Sequence, residues 1–80
     1  MINQNLLSRI TFNRDILAGK PIIRGLRISV EMILELLAKE ATIEEILEDY
    51  PDLELADIQA VLLYAYNLVA NEEVFDRVTA

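Results

Sequence analysis

Both glycines of this 80-residue chain, and one of its two prolines, fall within Gly19-Lys20-Pro21-Ile22-Ile23-Arg24-Gly25-Leu26-Arg27-Ile28-Ser29-Val30. Glycine accepts positive φ without a steric penalty, and proline biases the residue before it toward extended geometry. We therefore predict two short extended segments, residues 22–23 and 26–28, around a turn at Arg24-Gly25. Ser29 is then suited to cap a helix, because its hydroxyl can accept a hydrogen bond from the first turn. Glu31 lies in that turn, where the helix dipole favours negative charge.

The charge of the chain changes sign after this stretch. Residues 1–27 carry five basic side chains and one acid, a net charge of +4, whereas residues 28–80 carry two basic side chains and thirteen acids, a net charge of −11. Four cations of the first part are candidates for contact with an anion or a nucleic acid: Arg14, Lys20, Arg24 and Arg27. The alternative is a structural β-element whose cations balance the protein's own acidic helices, and the composition favours this alternative.

The residues before this stretch show weaker patterns. A short strand is predicted over residues 9–12 and a turn over residues 13–15. Residues 1–8 show no clear period, so docking and fraying of this terminus both stay open. We expect one domain, residues 1–80, in which β-strands and the basic loop occupy residues 9–28 and the remainder, residues 29–80, is helical.

Three helices are expected after residue 28. In the first, apolar residues recur at the spacing of one helical face: Val30, Ile33, Leu34 and Leu37. A capping box formed by Thr42 and Glu45 begins the second helix, and Pro51 ends it. The third and longest helix is expected over about residues 55–70.

The third helix is apolar on nearly all sides, with Asp57, Gln59 and Asn67 as its few polar residues. Burying such a helix completely is difficult within 80 residues, because a domain of this size buries only about 60% of its unfolded surface. We therefore predict that it contacts a second copy of the chain or a partner, although a central core helix is a compatible alternative. The predicted interface residues are Ile58, Leu62, Leu63, Tyr66, Val69 and Phe75.

The composition excludes several classes of chemistry. The chain has no cysteine and no histidine, which removes disulfides, thiolate nucleophiles and the usual zinc ligands. It also has no glycine-rich phosphate loop, so we expect a noncatalytic protein without metal or cofactor. No signal peptide is visible and no apolar run approaches the roughly 20 residues of a membrane span, so we expect a cytoplasmic protein that does not enter a membrane.

Three motifs in this order carry a family resemblance. They are residues 19–30, the run Ile33-Leu34-Glu35-Leu36-Leu37, and Thr42-Ile43-Glu44-Glu45-Ile46-Leu47-Glu48-Asp49-Tyr50-Pro51-Asp52-Leu53. The chain resembles, over roughly residues 9–67, the small bacterial domains called domain of unknown function 433, which are described as antitoxin-like proteins of the Vap type. It departs from them at Glu40, where the family often has glycine, and at Glu54-Leu55-Ala56-Asp57, where the family often has Thr-Pro-Glu-Asp.

The resemblance implies a mainly α fold, a three-helix helix-turn-helix core of the winged-helix or homeodomain-like type preceded by short N-terminal β-strands. It also implies a gene partner that encodes a nuclease-like toxin. We therefore expect a homodimeric type II antitoxin-like protein, whose acidic helices mask a basic nuclease surface while the long helix and the C-terminal residues supply the buried contact.

Two other functions stay open. One is a DNA-binding autoregulator that contacts phosphates through the basic loop, and the other is a homodimeric structural domain. The third helix is a poor DNA reader, because its first turns offer Glu54, Asp57 and Gln59 but no cation.

Overall fold

The computed structural model describes residues 4–71. The chain begins with a 3₁₀ segment, Gln4–Arg9, followed by two short strands, β1 (Ile10–Thr11) and β2 (Ile22–Ile23). Three helices follow: α1 (Val30–Ala38), α2 (Ile43–Asp49) and α3 (Leu55–Asn71). The protein is therefore mainly helical, with a two-stranded antiparallel sheet near its N-terminus, as the sequence predicts.

The predicted turn at Arg24-Gly25 is confirmed. Arg24 and Gly25 have φ angles of 44° and 74°, and the Leu26 N–H donates to the Ile23 carbonyl at 2.7 Å. Two successive residues of positive φ are typical of the tight turns that join antiparallel segments. The Ile23 N–H donates to the Ile28 carbonyl at 3.0 Å, and Ser29 bridges Ile22. The chain therefore returns alongside β2 at residues 28–29, and the predicted extended segment 26–28 forms no strand.

The sheet is shorter than the sequence predicts. β1 pairs with β2 such that Ile10 lies opposite Ile23 and Thr11 lies opposite Ile22. Ile10 is buried, whereas Phe12 lies beyond the strand, is 59% exposed and rests against the ring of Tyr64. The Thr11 hydroxyl accepts a hydrogen bond from the Gly25 N–H at 2.9 Å, which ties β1 to the turn after β2.

The hydrophobic core lies where the sheet and the three helices meet. Its buried members are Ile10, Ile23, Val30, Ile33, Ile46, Leu53, Ile58, Ala60 and Val61. α3 packs against the 3₁₀ segment, β1, α1 and α2, and Leu6 contacts the core. The described part of the N-terminus is therefore docked on α3 and not frayed.

Both predicted helix starts are confirmed. The Ser29 hydroxyl accepts a hydrogen bond from the Met32 N–H at 3.0 Å. Thr42 and Glu45 form the reciprocal capping box. The Thr42 hydroxyl accepts a hydrogen bond from the Glu45 N–H at 3.1 Å, and the Glu45 carboxylate accepts one from the Thr42 N–H at 2.8 Å. The hydrogen bond from the Thr42 backbone holds the pKa of Glu45 below its ordinary value.

α1 ends in a left-handed residue. Glu40 has a φ of 71°, the Glu40 N–H donates to the Leu37 carbonyl, and the Ala41 N–H donates to the Leu36 carbonyl. These two bonds form a Schellman motif, whose left-handed position strongly favours glycine because a Cβ is disfavoured there. The departure from the family noted at Glu40 therefore falls on a position where a side chain is costly.

We predict that Glu40→Gly raises stability by about 1 kcal/mol. It relieves the left-handed penalty of about 1–2 kcal/mol and removes a negative charge from a helix C-terminus, while glycine's greater unfolded-state freedom offsets about 0.4–1 kcal/mol. The gain should appear as a thermal midpoint about 4–8 °C higher. Glu40→Ala is the matched control, since it removes the charge but keeps the Cβ. An equal gain from both variants would assign the effect to charge and contradict the backbone explanation.

Candidate functional site

Asp57 is the one charged side chain that is buried among residues 4–71. Its Oδ1 accepts hydrogen bonds from Arg9 Nη1 at 2.9 Å and Arg24 Nε at 3.0 Å. Its Oδ2 accepts from Arg24 Nη2 at 2.9 Å and from the Glu54 N–H at 2.8 Å. Arg24 thus forms the two-bond contact that gives arginine–carboxylate pairs their strength and direction.

The two arginines extend this cluster to the turn before α3. Arg24 Nη2 also donates to the Asp52 carbonyl at 2.6 Å, and Arg9 Nη1 also donates to Glu54 Oε1 at 2.9 Å. The hairpin turn, the end of the 3₁₀ segment and the start of α3 are therefore joined through one carboxylate. We call Arg9, Arg24, Glu54 and Asp57 the Asp57 cluster.

The electrostatics of the cluster keep Asp57 and the two arginines charged. Burial alone would raise the pKa of Asp57, but the hydrogen bonds from Arg24, the Glu54 backbone and Arg9 outweigh burial and hold the pKa below its ordinary value. The hydrogen bond with Glu54, joined by that with Asp57, raises the pKa of Arg9, and the hydrogen bond with Asp57 raises that of Arg24. The cluster is an ionised structural clamp, since each oxygen of Asp57 is occupied by donors.

The sequence predicts Asp57 to be one of the few polar side chains that α3 exposes, and this is wrong. The side chain is fully buried, because two arginines distant in sequence neutralise it. One local signal is present in the sequence. Asp57 lies three residues after Glu54, the residue before α3, and a carboxylate at this position can accept a hydrogen bond from the backbone N–H of that residue. The partners of that acid, 33 and 48 residues away, have no local signal.

The four cations predicted to contact an anion or nucleic acid have different surroundings. Arg24 is engaged with Asp57, and Lys20 forms an exposed ion pair with Glu31 at 2.9 Å. Both contacts agree with the structural alternative, in which cations of the N-terminal part balance the protein's own acids. Arg14 and Arg27 are exposed and form no ion pair within the part of the chain that the structure describes.

The predicted interface residues of α3 divide into two groups. Ile58 and Leu63 are 0% and 6% exposed, so the chain's own core already covers them and their assignment to an intermolecular contact is corrected. Leu62, Tyr66 and Val69 are 45%, 56% and 72% exposed. Phe75 lies outside the described residues.

Five exposed residues of α3 form a straight line along the helix. Leu55 and Gln59 are also exposed and continue the line of Leu62, Tyr66 and Val69 toward the N-terminus of α3. We call these five residues the α3 stripe. Their spacing alternates between four and three residues, the repeat by which two helices pack along a common seam.

A second surface is acidic. Glu44, Glu45, Glu48 and Asp49 are all exposed on α2, and we call them the α2 acidic surface. None of them is ion-paired with a cation within residues 4–71. Glu44 and Glu48, and likewise Glu45 and Asp49, are like charges four residues apart, an arrangement that destabilises a helix slightly.

The described chain also has an open groove of about 400 Å³ lined by Leu17, Lys20, Ser29, Glu31, Met32 and Glu35. In this groove the Ser29 hydroxyl caps α1, and Lys20 pairs with Glu31. The chain itself therefore supplies hydrogen-bond partners for these polar groups. Within residues 4–71, no group of three or more acidic side chains is placed to hold a metal ion. None of the described helices is long and apolar enough to cross a membrane.

A family model described as Protein of unknown function (DUF433) matches residues 10–65. The match contains β1, β2, α1, α2 and most of α3, and with them Arg24, Glu54 and Asp57. No curated protein and no solved structure matches the chain.

We predict that Asp57→Asn lowers the free energy of unfolding by about 3–5 kcal/mol, because it leaves two arginines facing a neutral, buried side chain. Chemical denaturation monitored by circular dichroism measures the change. Glu54→Gln is the control, since it removes the exposed carboxylate that contacts Arg9 and should cost less than about 1 kcal/mol. A loss from Asp57→Asn no larger than that from Glu54→Gln would contradict the role of Asp57 as a clamp.

The stability that Asp57 supplies should depend on pH. Because its folded-state pKa is lowered, the contribution is fully present above the unfolded pKa of about 3.9 and is lost as pH falls through the folded pKa. The difference in unfolding free energy between the native chain and Asp57→Asn should therefore narrow below about pH 4. Glu45 titrates in both proteins and cancels in this comparison. A difference that stays constant from neutral pH to strong acid would contradict the ionised clamp.

Proposed function

This chain belongs to the family described as Protein of unknown function (DUF433), and we propose that it is a small noncatalytic interaction protein of the type II antitoxin kind. In this proposal it binds and neutralises a nuclease-like toxin. The observation that carries the proposal is the α2 acidic surface, whose four carboxylates are exposed and form no ion pair within residues 4–71.

Ion pairing within the chain separates its structural carboxylates from the rest. Glu31, Glu35, Glu54 and Asp57 each lie within 3.1 Å of a lysine or arginine nitrogen. In the described part of the chain the α2 acidic surface has no such partner, and its like charges four residues apart weaken the helix. A basic partner would relieve this repulsion, and a nuclease presents such a surface because it binds the phosphates of its substrate.

The state of Asp57 supports a noncatalytic role. A buried carboxylate in an enzyme is a natural candidate for acid–base chemistry when its pKa is shifted toward neutrality. Here the shift is in the opposite direction, and four donors occupy both oxygens. The carboxylate is therefore used to hold the fold together.

The same contacts weigh against the alternative of a DNA-binding autoregulator. Arg24, at the centre of the predicted basic loop, is engaged with Asp57 and the Asp52 carbonyl. Arg14, Lys20 and Arg27 are left, and Lys20 pairs with Glu31. A helix-turn-helix arrangement of α2 and α3 would place α3 as the reader, and its exposed first turns offer Leu55 and Gln59 but no cation to neutralise a phosphate.

We predict that the product of the adjacent open reading frame co-purifies with this protein, and that Glu44→Gln with Glu48→Gln weakens the complex about tenfold. Removing two charges from a complementary surface slows association and flattens its salt dependence. Titration calorimetry at two salt concentrations measures the dissociation constant and its salt dependence.

The matched control is Glu35→Gln with Glu40→Gln, which makes the same change in net charge on α1 and at the turn directly after it. Equal weakening by both pairs would indicate a general charge effect and contradict docking on α2. A complex that does not form with any neighbouring gene product would overturn the antitoxin proposal. Salt-sensitive binding of the isolated protein to duplex DNA upstream of its own gene would favour the autoregulator instead.

A further inference from the structure

The α3 stripe is an uncharged surface on a strongly acidic chain. Between Asp57 and the end of the helix at Asn71, α3 contains no charged side chain, although the whole chain carries a net charge of −7. The stripe lies on the outer side of this segment, and Leu62, Tyr66 and Val69 are each about half exposed or more. We propose that the α3 stripe is the surface through which two copies of this chain pair, helix against helix.

The spacing of the stripe fits a helix as the occupant. Leu55, Gln59, Leu62, Tyr66 and Val69 average 3.5 residues apart, so they stay in line when two helices wrap gently around each other. An extended peptide or an irregular loop has no matching period. The contact is therefore one in which side chains of one helix fit between those of another.

The length of the stripe indicates α3 itself as the matching helix. Fourteen residue steps at 1.5 Å give a seam of about 21 Å. α1 and α2 have nine and seven residues, or about 13 and 10 Å, and cannot cover it. α3, with 17 residues, is the one element in the described chain long enough to complement its own stripe.

Charge favours a second copy over the basic partner proposed for α2. Nothing on the stripe attracts a cation, so a basic protein would gain no electrostatic contact there. Two copies of an acidic chain repel each other, and they can approach closely only through a surface that adds no further like charge. Ala65 and Ala70 stand beside the stripe and leave room for a close approach of the two helix backbones.

Gln59 supplies the polar feature that such a seam uses to fix its register. Its side-chain amide is both donor and acceptor, so it can bond to its own copy across a two-fold axis. A single polar residue within an apolar seam favours one alignment at some cost in stability. The area is that of one helix seam, so we expect a dissociation constant on the order of micromolar rather than a permanent dimer.

This inference does not depend on the antitoxin proposal, because it is tested on the isolated chain. We expect sedimentation and light scattering to show a monomer–dimer equilibrium between low micromolar and near-millimolar protein. Added salt should strengthen the dimer, since screening reduces the repulsion between two acidic chains and no ion pair is lost. Binding to a basic partner through α2 has the opposite salt dependence, so failure of one proposal can be told from failure of the other.

Leu62 and Leu68 form a matched pair for mutagenesis. Both are leucines of α3, 45% and 49% exposed, but Leu68 lies off the stripe. Leu62→Glu should raise the dissociation constant at least about thirtyfold, because a charge is buried twice in a symmetric contact. Leu68→Glu should leave the dimer largely intact, and circular dichroism checks that both variants are folded.

Cross-linking gives a second readout that does not require a destabilising charge. The chain has no cysteine, so Leu62→Cys introduces a single thiol near the middle of the stripe. Oxidation should give a disulfide-linked dimer with Leu62→Cys and not with Leu68→Cys, because a disulfide requires Cα atoms within about 7 Å.

Three outcomes would overturn the inference. A native chain that stays monomeric at near-millimolar concentration would do so, as would equal dissociation by Leu62→Glu and Leu68→Glu. The third is a monomeric native chain that begins to associate when it is truncated after Asn71, which would mean that residues 72–80 cover the stripe.

Discussion

The buried carboxylate of Asp57 is the constraint from which most of this structure follows. An isolated ionised carboxylate is very costly to remove from water, so the fold exists only with cations held against it. Two arginines from the N-terminal 24 residues supply them at 2.9–3.0 Å. This requirement brings the hairpin turn and the end of the 3₁₀ segment to the start of α3, and it accounts for two of the five basic side chains in the first third of a largely acidic protein. Lysine could not replace Arg24 equivalently, because the contact uses two donors in the planar geometry of a guanidinium group.

The conformation of the hairpin is consistent with this role. Arg24 is one of four described residues other than glycine that have positive φ, a conformation that is uncommon for a side chain of its size. Its backbone N–H donates to the Arg9 carbonyl at 2.8 Å, while its side chain spans from Asp57 to the Asp52 carbonyl. The two arginines of the cluster are therefore joined to each other through the backbone as well as through Asp57. The cost of the turn is offset by the hydrogen bonds that the Arg24 side chain makes to Asp57 and the Asp52 carbonyl.

The features that the sequence predicted correctly depend on residues close together in the chain. The caps at Ser29 and Thr42, the turn at Arg24-Gly25 and the inner face of α1 are set by spacings of one to four residues. α3 was different, because a helix that is apolar on nearly all sides gives no moment to orient it. Ile58 and Leu63 were therefore assigned to an interface when they belong to the core, and Asp57 was assigned to the solvent. Its orientation is set by arginines 33 and 48 residues away, a distance at which neither periodicity nor capping carries information.

Neutralising Asp57 internally also determines what the outside of the protein can recognise. Three of the N-terminal cations are engaged with Asp57, Glu54 and Glu31. Within residues 4–71 the acids of α2 form no ion pair, and α3 keeps one uncharged face. Surfaces so different in charge select different partners, because one gains from a cation and the other does not. Under the two proposals above, a dimer built on α3 would carry two copies of the α2 acidic surface. When one α2 acidic surface binds a dimeric partner, the second α2 acidic surface is held near the partner's other site at a high effective concentration. The weak contact between the two α3 helices would in this way strengthen the binding through α2, although α3 does not touch the partner.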